Sequence, residues 1–209
     1  MQIKICGVTS REDAESAVRF GASAIGCVFY PQSVRAVSID SAQDISAGIR
    51  GFSMLVALFV NPSEREVSRV LENVNVDALQ FHGKETPDFC RQFDRPYIKA
   101  VPMMLGTDLR EWYDKFPDAR ALLADSATID RFGGGGTCFD WALIPQELSG
   151  RIILAGGLQT DNVADAVRQV KPMAVDVSSG VESAPGVKDL VKMKTFIQMA
   201  RRAHEGLCL

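Results

Sequence analysis

Short apolar runs rich in Val, Ile and Leu recur along the whole chain at fairly even spacing, each followed by a turn signal and a stretch with helical periodicity. This repetition predicts strand-then-helix units. Eight strands are predicted: Ile3 to Cys6, Ala24 to Phe29, Met54 to Val60, Ala78 to Phe81, Tyr97 to Val101, Ala121 to Asp125, Ile152 to Ala155 and Ala174 to Val177.

Amphipathic stretches between the strands predict helices, several of which open with a Ser or Thr suited to cap them. They include Ser10 to Phe20, Ser63 to Asn73, Thr86 to Phe93, Thr107 to Lys115, Thr160 to Val170 and Val187 to Arg202. Continuous apolar strands in eight such units favour one α/β domain over residues 1–209, a single (β/α)8 TIM barrel. An open doubly wound sheet is the alternative, disfavoured because no G-x-G-x-x-G follows the first strand.

The charge balance argues against nucleic acid or membrane partners. The 209 residues include 23 Lys and Arg and 26 Asp and Glu, which gives a formal net charge of −3. A chain with this charge has no overall positive field to attract nucleic acid or an anionic membrane. Five cysteines without a C-x-x-C pair, only two histidines and no export signal predict a reducing, cytoplasmic setting with no bound metal. The oligomeric state is left open between a monomer and a homodimer.

Polar residues gather where such a barrel carries its chemistry, at the carboxyl ends of the strands. Gly156 and Gly157 follow the seventh strand, and Ser178, Ser179 and Gly180 follow the eighth. Backbone N–H groups in these two loops commonly bind phosphate in barrels, so we expect a phosphate site there. Tight turns that need glycine for a positive φ are the alternative explanation. The sixth loop, 126–139, holds Gly133 to Gly136 and is expected to be mobile or to approach a ligand.

Two other strand ends suggest acid–base chemistry. Cys6 ends the first strand and Asp125 the sixth, so a thiolate and a carboxylic acid face each other across the barrel mouth. That pairing requires burial to keep Asp125 protonated and a positive group to ionise Cys6. Lys4, on the same strand face as Cys6, is expected either to lower the thiol pKa or to pair with a carboxylate inside the barrel. A buried inert thiol is the alternative for Cys6.

Four more residues are candidates for holding a substrate. Arg35, in the loop after the second strand, is predicted to bind a carboxylate or to be a solvated charge. Gln80 and His82 stand at the end of the fourth strand, where His82 is either an acid–base group or a structural hydrogen-bonding residue. Asp176, between two valines, needs either a ligand or a buried ion-pair partner.

The motifs, taken together, resemble one known family from end to end. They are Lys4-Ile5-Cys6-Gly7-Val8-Thr9, Phe29-Tyr30-Pro31-x-Ser33-x-Arg35, Leu58-Phe59-Val60-Asn61, Leu79-Gln80-Phe81-His82-Gly83, Phe139-Asp140-Trp141, Leu154-Ala155-Gly156-Gly157-Leu158 and Asp176-Val177-Ser178-Ser179-Gly180-Val181-Glu182. On these motifs the chain is similar to phosphoribosylanthranilate isomerase. That resemblance implies a (β/α)8 barrel without cofactor or metal, acting in tryptophan biosynthesis on a small phosphorylated substrate.

The implied reaction is the Amadori rearrangement of N-(5-phosphoribosyl)anthranilate to 1-(2-carboxyphenylamino)-1-deoxyribulose 5-phosphate. By resemblance, Cys6 matches the general base, Asp125 the general acid, and Arg35 the residue that holds the anthranilate carboxylate. A related aldose–ketose isomerase of histidine biosynthesis, with Asp at the end of its first strand, is a rival that Cys6 argues against. A barrel that only binds a sugar phosphate is a second rival, disfavoured because a binder needs no acid–base pair.

Overall fold

The computed structural model describes residues 1–49, 51–126 and 138–207, and its centre is a closed barrel of parallel strands. The eight strands are β1 (Gln2–Cys6), β2 (Ala24–Val28), β3 (Met54–Phe59), β4 (Ala78–Phe81), β5 (Tyr97–Pro102), β6 (Ala121–Asp125), β7 (Ile152–Leu154) and β8 (Ala174–Val177). Each strand pairs with its sequence neighbour, and β1 also pairs with β8, which closes the barrel. The open sheet is therefore excluded.

The strands carry side chains of two kinds on their two faces. Odd-numbered positions of β4 and β5, such as Leu79 and Val101, join the large apolar layer between the barrel and its helices. Even-numbered positions such as Ala78, Ile98 and Ala100 form a smaller cluster inside the barrel. Because both faces are buried, these strands appear in the sequence as continuous apolar runs. All eight predicted strands are confirmed, with bounds that differ by at most one residue.

Seven helices cover the barrel within the described residues: α1 (Arg11–Phe20), α2 (Ile39–Gly48), α3 (Glu64–Asn73), α4 (Pro87–Arg91), α5 (Leu109–Lys115), α6 (Val163–Val170) and α7 (Leu190–Glu205). Ser10, Ser63 and Thr86 cap α1, α3 and α4 as predicted, each accepting a backbone N–H bond. Thr107 and Thr160 were wrong as first residues, because α5 and α6 begin after Asp108 and Asn162. Helix α2 was not among the helices predicted from the sequence.

The largest correction concerns the segment before α7. A helix was predicted from Val187, but Val187–Lys188 forms a short strand, β10, antiparallel to β9 (Glu182–Ala184). Gly186 turns the hairpin with φ +80°, a conformation that favours glycine. Asp189 then caps α7 by accepting from the N–H groups of Val191 and Lys192. The hairpin places Glu182 and Lys188, both buried, beside the barrel mouth.

The predictions for the sixth loop and for Cys208 concern residues that the structure does not describe. Positions 127–137 of the glycine-rich sixth loop lie outside the described residues, as does Cys208. Within the described ranges, no helix is long and apolar enough to cross a membrane. The same residues contain no cluster of three His, Cys, Asp or Glu side chains arranged to hold a metal ion.

Candidate active site

A cavity opens at the carboxyl end of the barrel. Its lining residues come from seven of the eight strands or from the loops that follow them. Its empty volume, including the open mouth, is about 740 Å³. Ten of the eleven predicted site residues line this cavity. They are Cys6, Arg35, Gln80, His82, Asp125, Gly156, Gly157, Asp176, Ser178 and Ser179. The exception is Gly180, which is not among the lining residues.

A buried ion pair joins the first and last strands, and its carboxylate partner, Asp176, lines the cavity. Lys4 Nζ lies 2.9 Å from Asp176 Oδ1, and the two side chains are 4% and 9% exposed. The pair gives Lys4 the carboxylate partner and Asp176 the ionic partner that the sequence analysis named as possibilities. Burial disfavours the Lys4 charge, but Asp176 and Cys6 outweigh burial and raise the pKa of Lys4 above its ordinary value.

Cys6 lies against this ion pair, where burial and nearby charges shift the pKa of its thiol in opposite directions. Lys4 and, more weakly, Lys188 favour the thiolate, as expected for nearby positive groups. Burial disfavours the thiolate more strongly, so the net effect raises the pKa of Cys6. Lys4 thus lowers the pKa of the Cys6 thiol as expected, but burial outweighs this contribution.

Gly26 on β2 makes room for these two side chains, a role that the sequence analysis missed. A Cβ on Gly26 would lie 2.9 Å from Cys6 Sγ and 3.1 Å from Lys4 Nζ. Its backbone φ is not in the left-handed region, so space rather than conformation requires glycine here. A sequence signal existed, since a glycine within an otherwise apolar strand often marks such a close approach.

The proposed acid, Asp125, is the last residue of β6 and is 8% exposed. His82 Nε2 lies 3.1 Å from Asp125 Oδ2, but the angle does not make a hydrogen bond. The other ring nitrogen, Nδ1, is 3.3 Å from Gln80 Nε2. With the amide nitrogen of Gln80 as donor, Nδ1 accepts and the neutral ring carries its proton on Nε2, toward Asp125. The structure thus favours a histidine oriented by hydrogen bonding.

Arg35 is not a solvated charge, because its guanidinium forms an ion pair with Glu182. Its Nε and Nη2 donate to the two carboxylate oxygens of Glu182, both at 2.7 Å. Lys188 Nζ donates to the same carboxylate at 2.8 Å and to the Ser178 carbonyl at 3.1 Å. Burial disfavours the Glu182 charge, but these hydrogen bonds outweigh burial and lower the pKa of Glu182 to about 2. Glu182 and Lys188 were not predicted as site residues.

The two predicted phosphate loops pack against each other. Gly156 and Gly157 have φ values of +76° and +67°, so the turn itself requires glycine, as the structural alternative stated. A Cβ on Gly180 would lie 1.9 Å from the Leu158 carbonyl oxygen, so the eighth loop touches the seventh too closely for any side chain. Gly180 therefore joins the loops, while its neighbours Ser178 and Ser179 face the cavity.

Comparisons with known proteins identify the family to which this chain belongs. The sequence model of N-(5'-phosphoribosyl)anthranilate isomerase matches residues 3–199. An N-(5'-phosphoribosyl)anthranilate isomerase from Dechloromonas aromatica is 48% identical over 206 residues, which cover 99% of each chain. The phosphoribosyl anthranilate isomerase of Thermotoga maritima has a similar structure, with a TM-score of 0.86, 38% identity and coverage of 97% of this chain and 99% of that one.

A second solved structure includes a bound ligand. It is a phosphoribosyl anthranilate isomerase in complex with reduced 1-(o-carboxyphenylamino)-1-deoxyribulose 5-phosphate. Its TM-score to this chain is 0.83 at 36% identity, and the match covers 97% of this chain and 99% of that one.

The buried carboxylate of Glu182 predicts a specific response to acid. Its folded pKa of about 2 lies below the ordinary value of 4.5, so its stabilisation is complete above about pH 4.5 and is lost as the pH falls toward 2. Between pH 6 and pH 3 we expect wild type to lose about 2 kcal/mol more free energy of unfolding than Glu182→Gln. Urea unfolding at each pH measures this difference, and equal losses in the two proteins would contradict the assignment.

Proposed function

Because this chain belongs to the N-(5'-phosphoribosyl)anthranilate isomerase family, we propose that its barrel cavity is the active site and that Cys6 and Asp125 carry out the proton transfers. The chain is an isomerase of tryptophan biosynthesis that converts N-(5-phosphoribosyl)anthranilate to 1-(2-carboxyphenylamino)-1-deoxyribulose 5-phosphate. The observation that carries the proposed roles is that Cys6 of β1 and Asp125 of β6 line one cavity with both glycine-containing loops.

Asp125 acts as the general acid in the first step. The ribose ring opens when its ring oxygen takes a proton, which leaves a protonated Schiff base between C1′ and the anthranilate nitrogen. A buried carboxyl group at the mouth of the barrel is suited to this, since burial favours its neutral form. His82, 3.1 Å from the Asp125 carboxylate, would stabilise the charge that develops on Asp125 after proton donation.

Cys6 acts as the general base in the second step. Its thiolate removes the proton from C2′, the electrons move into the C1′–N iminium, and an enolamine forms that tautomerises to the ketose. Lys4 lies beside the sulfur and remains charged through its ion pair with Asp176, so it stabilises the thiolate. The positive iminium next to C2′ adds to that effect once the substrate is bound. The protein groups suffice for both proton transfers.

The phosphate and the anthranilate carboxylate of the substrate are proposed to bind on opposite sides of Cys6 and Asp125. Gly156, Gly157, Ser178 and Ser179 would hold the phosphate through the two packed loops. Arg35 would hold the anthranilate carboxylate. Glu182 uses the Nε–Nη2 edge of the guanidinium, so the Nη1–Nη2 edge remains for a second bidentate contact.

Three other lining residues are proposed to contact the substrate between these ends. Gln80 is completely buried, and its Oε1 has no hydrogen-bond partner among the described residues, so it is placed to accept from a substrate hydroxyl or N–H group. His82 and Asp176 would face the ribose part. Each of these contacts orients the reacting carbons between the acid and the base.

The expectations about setting and assembly remain proposals. We propose a cytoplasmic enzyme, supported by a mechanism that needs Cys6 as a free thiol and by four free cysteines among the described residues. It would act as a monomer or homodimer on a small phosphorylated substrate.

The proposed roles predict how activity responds to removal of each proton-transfer group. Purified protein should consume phosphoribosylanthranilate, generated in situ and followed by its fluorescence, faster than it decays in buffer. Cys6→Ser and Asp125→Asn should each lower kcat by roughly 10²–10⁴ with a smaller change in KM, as expected for acid–base groups. Wild-type turnover in either variant would remove that residue from the mechanism.

Arg35 should act mainly in binding. We expect Arg35→Ala to raise KM at least about tenfold and to change kcat less, because the carboxylate contact exists before and during the reaction. Arg11→Ala is the matched control, since Arg11 is an exposed arginine of α1 paired with Glu15, and it should leave both constants unchanged. If KM and kcat/KM of Arg35→Ala equal those of wild type, Arg35 does not bind the substrate.

A further inference from the structure

A further buried ion pair lies outside the cavity, between the barrel strands and the helices. Lys99 Nζ of β5 is 2.8 Å from Glu85 Oε2, and the two side chains are 0% and 2% exposed. Lys99 stands between Ile98 and Ala100, which face the barrel interior, so its own side chain is on the helix side of the strand. Neither Lys99 nor Glu85 lines the cavity as far as the described residues define it.

The hydrogen bonds of this pair are directed at one turn. Besides Glu85, Lys99 Nζ donates to the carbonyl oxygens of Phe81 at 3.2 Å and Gly83 at 2.6 Å, so its three protons have acceptors. The Glu85 carboxylate accepts from the N–H groups of Gly83 at 2.9 Å and Asn61 at 2.8 Å. The pair therefore holds the backbone of residues 81–83 and connects it to the loop after β3.

His82 lies in the middle of this turn. Its own N–H donates to the Phe59 carbonyl at 2.9 Å, while the carbonyl before it and both backbone groups after it are held by the ion pair. A Cβ on Gly83 would lie 2.3 Å from Asn61 Oδ1, so the turn also fits closely against the neighbouring loop. The backbone that carries the His82 ring is thus fixed on both sides of this residue.

Stability alone does not account for charged residues at this place. A buried ion pair is often no more stabilising than apolar residues of similar volume, because both charges lose their hydration. What the pair supplies and apolar residues cannot is a set of directional hydrogen bonds to a turn that has no side chain at residue 83. Such a set is suited to hold an active-site residue in one geometry.

We infer that Lys99 and Glu85 are positioning residues for the isomerisation: they fix the turn 81–83 and so set the orientation of the His82 imidazole toward Asp125. This inference rests on the proposed roles of Asp125 and His82. The two residues do not touch the substrate. They act through the backbone, and a small displacement of the ring changes the geometry around the reacting atoms.

The test uses the full chain with Lys99→Met. The milder change is Glu85→Gln, which keeps the side-chain volume and one of the two acceptor oxygens. Three properties are measured: kcat and KM, thermal unfolding, and the NMR resonances of the histidine rings. The chain has only two histidines, His82 and His204, so His204 is an internal reference. We expect the His82 resonances to shift, those of His204 to stay, and kcat to fall about tenfold with KM changed less than about twofold.

Two controls separate positioning from loss of stability. Ile45→Ala removes a buried side chain of α2 and should lower the melting temperature while leaving kcat and the His82 resonances unchanged. Adding Lys99→Met to a His82→Asn enzyme should lower kcat less than about twofold further, because the ring that Lys99 positions is then absent.

Each result decides for or against the inference. A lower melting temperature with unchanged His82 resonances and unchanged kcat would make the pair structural only and overturn it, as would shifted resonances without any change in kcat. If Lys99→Met does not fold, Glu85→Gln is judged by the same criteria. Should Asp125→Asn retain full activity, the proposed acid role fails, and the ring resonances still report whether the pair orients His82.

Discussion

Closure of the barrel between β1 and β8 is the constraint on which the site depends. In this pairing Lys4 stands opposite Asp176, and the two side chains form an ion pair inside the barrel. Removing either partner would leave an uncompensated charge in the interior, which is strongly destabilising. The same contact keeps a positive charge beside Cys6. Barrel closure and the environment of the proposed base are therefore one physical arrangement.

The site has two groups of charges with different tasks. Lys4, Asp176 and Cys6 form one group inside the barrel, where burial and ionic contacts shift the pKa of the Cys6 thiol in opposite directions. Glu182 joins Arg35 and Lys188 at the β9–β10 hairpin, where the carboxylate stays ionised far into the acid range. Glu182 also prevents the guanidinium from turning freely, so Arg35 is held in a fixed orientation before a ligand arrives. Preorganisation of this kind reduces the entropic cost of binding an anion.

The sequence predicted those features, strands and helix caps, that depend on residues close together in the chain. Strand bounds followed from apolar runs buried on both faces, and Ser63 was recognisable as the cap of α3 because Ser-x-x-Glu is a local signal. The helix predicted from Val187 failed because long-range contacts of the hairpin override helical spacing. The ion pairs Arg35–Glu182 and Lys99–Glu85 were not predicted, since partners 147 and 14 residues apart meet only in the folded barrel. The raised pKa of Cys6 likewise depends on burial, which spacing does not reveal.

A crystal structure of this chain bound to a reduced, unreactive analogue of the ketose product tests the central claim most directly. We expect Cys6 Sγ and the Asp125 carboxyl group to lie within hydrogen-bonding reach of opposite sides of the C1′–C2′ segment, with the phosphate bound by the loops of Gly156, Gly157, Ser178 and Ser179. An analogue bound with its phosphate elsewhere, or with C2′ out of reach of Cys6, would contradict it.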